Sequence, residues 1–426
     1  RYVSFVGVII GCNAMMNFAV PILGICAHPI SRLGNLGSVC MAIVNYVNAF
    51  SNFLVPSVIS LFGSPQRALF WCCLSYVFYI SQFSYVIPVM AYTICAMHGF
   101  FSAVVWASQG VLLGENSNDN DRGRKSGFFL AVYMFGSALG NLVSGYLMKI
   151  LHVGTDIHHG WNGNTSILFL FLGLFTVLSL IPFGFIRPAV PYNSQEQELV
   201  DSHEGAVVVS FEGDHLIETK EAKSSALEEI KGVFSLMVKP RMLLLLCFFF
   251  NDGYQQVFLT SQFTRQLVDL SSVGTLMALF SIADVIFANV HGFLLDKFGH
   301  VCVLTLATMG EVVGLVLSWI ANAKQDWTVY LTGLVFAIAD GGFQTECLSL
   351  VNQYFASNRA QANSVFRMLQ CFGFAIALTL TPFFKSETEP HSSPAEYFWE
   401  VIIAGILGIG GYIGCMIFMG IEKRSK

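Results

Sequence analysis

The chain has little charge. Only 12% of its 426 residues are Asp, Glu, Lys or Arg, whereas 54% are hydrophobic and the mean hydropathy is +0.63. Soluble domains carry about 25% charged residues, and a soluble protein this apolar could not cover its own surface. The scarcity of charge therefore excludes an ordinary soluble protein and indicates that the lipid bilayer is the solvent.

Other absences exclude further classes of function. The net charge of −5 is small and argues against a nucleic-acid partner. The eleven cysteines lie in apolar runs, with no Cys-x-x-Cys and no Cys/His spacing typical of a metal site. No nucleophile–base pair and no phosphate-binding loop occurs. We therefore expect no metal, no cofactor and no enzymatic activity.

Long apolar runs are abundant. A spanning helix needs about 20 mostly apolar residues, and the sequence contains twelve such segments. They are residues 3–26, 37–61, 68–86, 88–113, 127–149, 166–187, 242–262, 271–294, 301–321, 328–351, 362–384 and 398–420. The fold class predicted is an all-α polytopic membrane protein with twelve transmembrane helices.

One long polar segment divides these helices into six and six. Residues 188–240 hold ten Asp/Glu and four Lys/Arg, a net charge of −6. This predicts an N-terminal six-helix bundle over residues 1–187, an acidic linker over 188–240 and a C-terminal six-helix bundle over 241–426. The end of the linker predicts an amphipathic helix, because Leu227, Ile230, Phe234 and Met237 share one face at helical spacing.

The distribution of Lys and Arg predicts the orientation. With both termini inside, sixteen of the twenty-two lie in inner segments and five in outer ones, as the positive-inside rule requires. We therefore expect cytosolic termini, in the plasma membrane or an endomembrane. The single Asn-x-Ser/Thr sequence, at Asn164, then faces outward and is a candidate glycosylation site.

A turn after the eighth segment carries a recognisable pattern. "GFLLDKFGH" places Gly292, Asp296, Lys297 and Gly299 as in the G-x-x-x-D-[RK]-x-G signature of the major facilitator superfamily. Glycine permits the tight turn, and the aspartate can accept hydrogen bonds from a neighbouring helix terminus. The corresponding turn of the first half has Ser60 in place of the aspartate, so the gating contact is expected to be weaker there.

Amides are the polar groups of the first six segments. A buried amide in hydrocarbon must find a partner, so these side chains should face the interior. Contact between helices is the preferred interpretation, and a solute-lining role is the alternative. The residues of this polar stripe are Asn13, Asn17, Asn45, Asn48, Asn52 and Gln109.

The last six segments instead carry charged groups. Glu346 and Arg367 both lie about 9 Å from the inner membrane surface at about 1.5 Å per residue, so we predict a buried ion pair between them. Asp252, Asp284 and Asp340 have no cation at their own depth and are candidates for proton coupling. For any one of them alone, a protonated carboxyl bonded to backbone or an amide is the preferred interpretation, whereas the cluster as a whole indicates an interior polar cavity. The predicted cavity and coupling residues are Asp252, Gln255, Gln256, Asp284, Asp340 and Gln344.

Four stretches resemble the Uncoordinated-ninety-three family, which is major-facilitator-like. They are "HGFFSAVVWASQGVLLGENS", "RKSGFFLAVYMFGSALGNLVSGYL", "GYQQVFLTSQFTR" and "IADGGFQTECLSLV" with "ANSVFRMLQCFGFAIA". Trp106, Gln109, Asp340 and Arg367 match the family pattern, whereas Gln255 stands where the family commonly has Glu. The resemblance implies two six-helix bundles around a central cavity.

The resemblance leaves two functions open. Known members include an accessory subunit of a potassium channel and escorts of immune receptors, which implies a regulatory or trafficking subunit with an ion-channel or receptor partner. The alternative is a proton-coupled secondary transporter of a small solute, favoured by the three aspartates. The charge-free first half favours the regulatory function, because coupling requires both halves to rearrange.

Overall fold

The structure is a computed structural model, and it describes residues 36–85, 87–117, 121–151, 163–180, 226–264, 270–324, 326–383 and 394–425. These residues form helices and short connections, without a β-strand among them. The first predicted segment, with Asn13 and Asn17, lies outside the described residues, as does most of the acidic linker.

The described helices follow the predicted segments closely. We number them α1 (Leu36–Ser51), α2 (Val55–Phe62), α3 (Pro65–Ser81), α4 (Pro88–Glu115), α5 (Arg122–Ile150), α6 (Gly163–Leu180), α7 (Ala226–Met237), α8 (Pro240–Val257), α9 (Leu270–Phe298), α10 (His300–Lys324), α11 (Thr328–Tyr354), α12 (Arg359–Phe383) and α13 (Pro394–Ser425). Short 3₁₀ turns follow α3 and α11, and a π-helical turn over Phe258–Phe263 continues α8.

Proline and glycine set several boundaries. Helices α3, α4 and α8 begin at Pro65, Pro88 and Pro240, where the missing N–H costs nothing because it would have no helical partner. Gly299 ends α9 with a φ of 77°, and its N–H donates to the Leu295 carbonyl at 2.9 Å. Its left-handed conformation favours glycine, which explains the last residue of the predicted turn.

Seven described helices are long and apolar enough to cross a membrane, or eight if a bent pair is counted as one span. The pair is α1 and α2, which meet at 76°, so the predicted segment 37–61 is broken into two helices. Asn52 lies at the break, where its Nδ2 donates to the Asn48 carbonyl at 2.8 Å, and Pro56 begins the new helix. The described residues do not establish the predicted number of twelve.

Large apolar side chains remain exposed around the molecule. On α13 they recur at intervals of three or four residues, which places them on one side of the helix. A soluble protein rarely exposes so continuous an apolar face, and this face is suited to lipid. Its members are Ile406, Ile409, Ile413, Ile417 and Ile421.

The N-terminal helices α1–α6 pack directly against the C-terminal helices α8–α13. The most extensive of these contacts joins α5 to α9, and α12 packs against both α1 and α4. Tyr46 on α1 also hydrogen-bonds Thr379 on α12, with 3.0 Å between their hydroxyl oxygens. The boundary between the two sets of helices is therefore a packed interface that polar side chains cross.

The linker helix α7 lies against α12, α2 and α8, and two residues of its predicted apolar face are exposed. Val233 and Leu236 are buried, whereas Leu227 is 59% and Phe234 is 54% exposed. The pattern Leu227, Ile230, Phe234, Met237 identified the helix but not its rotation, because apolar residues occur on both sides of it.

Candidate functional site

Asp340 lies at the centre of α11 and is fully buried. Its two carboxyl oxygens accept hydrogen bonds from two amides, Gln255 Nε2 at 2.7 Å and Gln344 Nε2 at 3.0 Å. Gln344 is four residues further along the same helix, which places it on the same side. These contacts join three of the predicted cavity residues and hold the carboxyl group without a cation.

Asp284 on α9 reaches the same place. It is fully buried, and its Oδ1 lies 2.6 Å from the position that a Cβ atom on Gly341, the residue after Asp340, would take. Neither Asp284 oxygen has a hydrogen-bond partner meeting ordinary geometry within the described part of the chain. Asp284 and Asp340 therefore bring two carboxyl groups into one buried region of the interior.

Asp252 on α8 is linked to Arg367 through a third side chain. Gln370 Nε2 donates to Asp252 Oδ2 at 2.7 Å, and Gln370 Oε1 accepts from Arg367 Nη1 at 2.7 Å. The prediction that Asp252 has no cation at its depth was therefore wrong. Gln370 lies three residues after Arg367, a helical spacing that could have revealed it from the sequence.

Arg367 crosses from the C-terminal to the N-terminal helices. Its Nη2 donates to Gln109 Oε1 on α4 at 3.3 Å. The guanidinium carbon lies 4.9 Å from the centroid of the Trp106 ring and 4.6 Å from that of Phe366. Cation–π contact of this kind is worth about 2 kcal/mol or more when desolvated. Two of the family-matching residues, Trp106 and Gln109, thus contact a third.

The predicted ion pair between Glu346 and Arg367 does not form. Glu346 Oε1 instead lies 2.6 Å from Nδ1 of His300, the first residue of α10, and His300 Nε2 lies 2.7 Å from Gln353 Oε1. Depth placed Glu346 and Arg367 at one level, but a third helix supplies the nearer partner of Glu346. The prediction considered only α11 and α12, which adjoin in sequence.

Glycines bring Asp252 and Gln370 together. A Cβ atom on Gly253 would overlap the Gln370 carbonyl, and one on Gly373 would overlap the Phe250 carbonyl. Helices α8 and α12 therefore cross at backbone contact, which only glycine allows at these positions. This crossing fixes the distance between Asp252 and the Arg367–Gln370 pair.

Sequence reasoning missed two buried carboxylates of the apolar segments, Glu311 and Glu400. Glu311 lies in the middle of α10, 1% exposed, and Asn251 Nδ2 lies 3.1 Å from both of its carboxyl oxygens. Asn251 adjoins Asp252 in sequence, so Glu311 lies just beyond the main cluster. Its place at the centre of the apolar segment 301–321 was a sufficient signal.

The other predicted residues lie apart from this cluster. In the polar stripe, Asn45 Nδ2 donates to the Met41 carbonyl at 2.9 Å and Asn52 Nδ2 to the Asn48 carbonyl at 2.8 Å. Both side chains therefore hydrogen-bond backbone of their own segment. Gln256 adjoins Gln255, and its Nε2 has no partner among the described residues. Asn164 is exposed in the first turn of α6.

The predicted gating turn joins the two sets of helices. Asp296 Oδ1 accepts from the Gly123 N–H at 2.8 Å, and Asp296 Oδ2 accepts from Arg124 N and Nε at 3.0 Å each. These N–H groups open α5, so Asp296 satisfies a helix N-terminus that would otherwise lack partners. Gly292 packs against Gly123, while the Lys297 ammonium lies over the Phe293 and Phe298 rings.

We call the buried side chains that link α11 to α4 the polar track. It consists of two hydrogen-bonded groups. The first is Asp340 with Gln255 and Gln344, beside Asp284, and the second is Asp252 with Gln370, Arg367 and Gln109; Asp252 and Gln255 lie three residues apart on α8, which places the groups next to each other. Each of these side chains is buried. The track holds three carboxyl groups and one guanidinium at the boundary between two packed sets of helices.

This arrangement of helices has the fold of the major facilitator superfamily. The structure of the proton:xylose symporter XylE bound to 6-bromo-6-deoxy-D-glucose superposes with a TM-score of 0.69, covering 97% of this chain and 93% of that one at 14% identity. The fold and the apolar helices define an integral membrane protein.

The chain belongs to the UNC-93 family. The family described as "Ion channel regulatory protein UNC-93" matches residues 34–388. The UNC93-like protein MFSD11 of Xenopus laevis is 24% identical over 91% of this chain and 88% of its own length. Protein unc-93 homolog A of Danio rerio is 27% identical over 37% of this chain and 35% of its own length.

Proposed function

We propose that this protein is a proton-coupled carrier of a small solute, in which α1–α6 and α8–α13 rearrange around the polar track. The observation that carries the proposal is that two buried hydrogen-bonded groups, one around Asp340 and one running from Asp252 to Arg367 and Gln109, lie next to each other on α8. Ionisable groups buried inside a membrane protein typically mark substrate, ion or proton pathways.

The charge-free first half argued against coupling at the level of sequence. The contacts of Arg367 weaken that argument. The Arg367 guanidinium on α12 donates a hydrogen bond to Gln109 and lies against the Trp106 ring, and both of these residues are on α4. Asp296 on α9 likewise binds the N-terminus of α5. Protonation within α8–α13 can therefore change contacts to α1–α6 although those helices carry no buried charge in the track.

The proposal is tested in proteoliposomes that contain a pH-sensitive dye. A panel of sugars, amino acids, carboxylates and nucleosides is added outside, and proton entry is followed for each compound. We expect one class of solute to drive proton entry, and Asp340→Asn to abolish it because an amide cannot carry a proton through the cycle.

Glu228→Gln provides the control, because Glu228 is an exposed carboxylate on α7 outside the track. It should leave proton entry unchanged. A folded protein that moves no protons with any class of solute would contradict the proposal, as would full activity in Asp340→Asn.

A regulatory subunit of another membrane protein is the second candidate, favoured by the description of the family. Such a subunit would act through its exposed apolar helix faces, of which α13 presents the most continuous. Affinity purification from native membranes in mild detergent tests it. Stoichiometric recovery of one channel or receptor would support it, and recovery of the protein alone would count against it.

A further inference from the structure

The Arg367 guanidinium is buried without an anion in contact. The side chain is 5% exposed, and its two hydrogen bonds go to the neutral amide oxygens of Gln370 and Gln109. No carboxylate lies within ion-pair distance of it among the described residues. A buried charge normally has an opposite charge in direct contact, so this exception calls for an explanation.

Gln370 separates the Arg367 guanidinium from the carboxyl group of Asp252. Its amide lies between Arg367 and Asp252, with the oxygen facing the cation and the nitrogen facing the carboxylate. The backbone contact of α8 with α12 at Gly253 and Gly373 fixes this spacing. Arg367 is thus near a negative group that does not occupy its hydrogen-bonding edge.

Two donors at this point have no acceptor. Arg367 Nε and Gln109 Nε2 are both buried without a hydrogen-bond partner in the part of the chain that the structure describes. They belong to different helices, α12 and α4, and their side chains are already in contact through Arg367 Nη2 and Gln109 Oε1. Unpaired buried donors each cost about 1–3 kcal/mol, so a ligand that supplies acceptors would be stabilising.

We propose that Arg367 and Gln109 form the binding site for the carboxylate of a small organic anion, which deepens the proposed function by naming its solute class. A guanidinium presents parallel N–H groups that match the two oxygens of a carboxylate. The anion would accept from the free Nε–H and from Nη2, where it replaces the weaker Gln109 oxygen, and from the Gln109 amide N–H, while Gln370 keeps its bond to Nη1. The Trp106 ring, against which the guanidinium lies, holds the fork in place for this contact.

The same geometry links the anion to a proton. With an anion on Arg367, Asp252 becomes a second negative group close to one cation. A proton on Asp252 removes that excess negative charge, so binding of the anion and of a proton favour each other. Gln255, three residues after Asp252 on α8, contacts Asp340, so a further carboxyl group lies near Asp252.

Binding is measured on the purified full chain in detergent, without any transport step. The probes are acetate, lactate and benzoate, each compared with its neutral amide, and the readouts are the thermal unfolding midpoint and titration calorimetry. We expect at least one carboxylate to raise the midpoint saturably while its amide does not. Gln109→Met and Arg367→Lys should each weaken binding at least tenfold, because each removes part of the planar donor set.

Gln262→Met is the matched control, because Gln262 is another buried glutamine that lies away from Arg367 and donates only a long 3.4 Å bond to the Ala377 carbonyl. It should bind the carboxylate like the wild type. The inference is overturned if no carboxylate stabilises the protein more than its amide does, or if Gln109→Met and Arg367→Lys bind it unchanged.

The two proposals fail separately. Carboxylate binding without proton entry in liposomes would remove the carrier function and leave the binding site. Proton entry driven by a neutral solute, and retained in Gln109→Met, would remove the carboxylate site and leave the carrier function.

Discussion

At the scale of single residues, amides set the properties of the polar track. Gln255, Gln344 and Gln370 each donate to a buried carboxyl oxygen. An amide keeps its N–H donors at every pH, whereas a carboxyl side chain of the same length donates only while it is protonated. The hydrogen bonds to Asp252 and Asp340 in the track therefore come from amide donors that do not titrate.

Gln255→Glu tests this role. It places a second carboxyl group at the 2.7 Å contact with Asp340, and two carboxyl groups can hydrogen-bond there only if one carries a proton. We expect the variant to match the wild type near pH 5 and to be destabilised by about 1–3 kcal/mol near pH 8, the cost of leaving a buried polar group without its hydrogen bond.

The measurement is the unfolding midpoint in detergent at both pH values, relative to the wild type at each. Gln255→Met, which cannot donate at any pH, should be destabilised equally at both. An equal midpoint for Gln255→Glu at pH 5 and pH 8 would show that the two groups are not in contact.

The sequence identified most of the charged residues of the site but not their partners. Depth along a helix can be counted from the sequence, so Asp252, Asp284, Asp340 and Arg367 were correctly found as buried. Which side chain fills the space beside each depends on helix rotation and on non-adjacent helices. That is why His300 was missed as the partner of Glu346 and Gln370 as the bridge to Arg367.

At the scale of helices, the close contact between α8 and α12 determines where Asp252 and Gln370 lie. Gly253 and Gly373 hold α8 and α12 at backbone distance, and other glycines in the chain face open space. A glycine pattern in the sequence does not distinguish the two kinds, because both occur inside apolar helices.

Gly253→Ala and Gly420→Ala form a matched pair. The first places a methyl group against the Gln370 carbonyl, whereas a Cβ at Gly420 would meet nothing within 4 Å. We expect Gly253→Ala to destabilise by about 1–3 kcal/mol through overpacking and to weaken any function that uses Asp252. Gly420→Ala should be neutral or stabilise by up to about 1 kcal/mol through helix propensity.

Unfolding midpoints of both variants, measured in the same detergent, provide the comparison. If Gly253→Ala were as stable as Gly420→Ala, the close contact between α8 and α12 would be excluded.

Helix α7 allows a second comparison between adjacent residues. Val233 is fully buried and Phe234 is 54% exposed, although Phe234 has the larger apolar side chain. We expect Val233→Ala to cost about 1–3 kcal/mol as a cavity in a packed site, and Phe234→Ala to cost less. Chemical denaturation of the two variants, followed by circular dichroism, measures both. The reverse order would support the face that the sequence pattern predicted.

The sequence predicted helix positions well because apolar length alone determines them. The boundaries of α4, α8 and α11 agree with the predicted segments within a few residues. The bend between α1 and α2 was not predicted, because Asn52 and Pro56 both lie within a segment apolar enough to read as one helix.

At the scale of the whole molecule, Asp296 joins the two sets of helices at the end that the charge distribution predicts to be cytosolic. It accepts three hydrogen bonds from the start of α5. Replacement of a capping residue by Ala costs about 0.5–2 kcal/mol. That is enough to change the relative population of two arrangements of the helices several-fold.

Asp296→Ala should therefore loosen the contact between α5 and α9 without unfolding either helix. Hydrogen–deuterium exchange is expected to increase at the first turn of α5, over residues 122–126, and to remain unchanged in α13. Asp296→Asn keeps one acceptor oxygen and should show a smaller increase. Wild-type exchange in Asp296→Ala would mean that the turn does not hold the interface.

Gln255 has a consequence for energy conversion. The family resemblance implies glutamate at this position, which would be one more titrating group beside Asp340, whereas Gln255 is neutral at every pH. The steepest concentration gradient that a carrier can sustain rises with the number of protons moved in each turnover. Under the carrier function proposed above, the neutral Gln255 would limit the protein to a lower accumulation of solute, while its hydrogen bond to Asp340 would not depend on acidity.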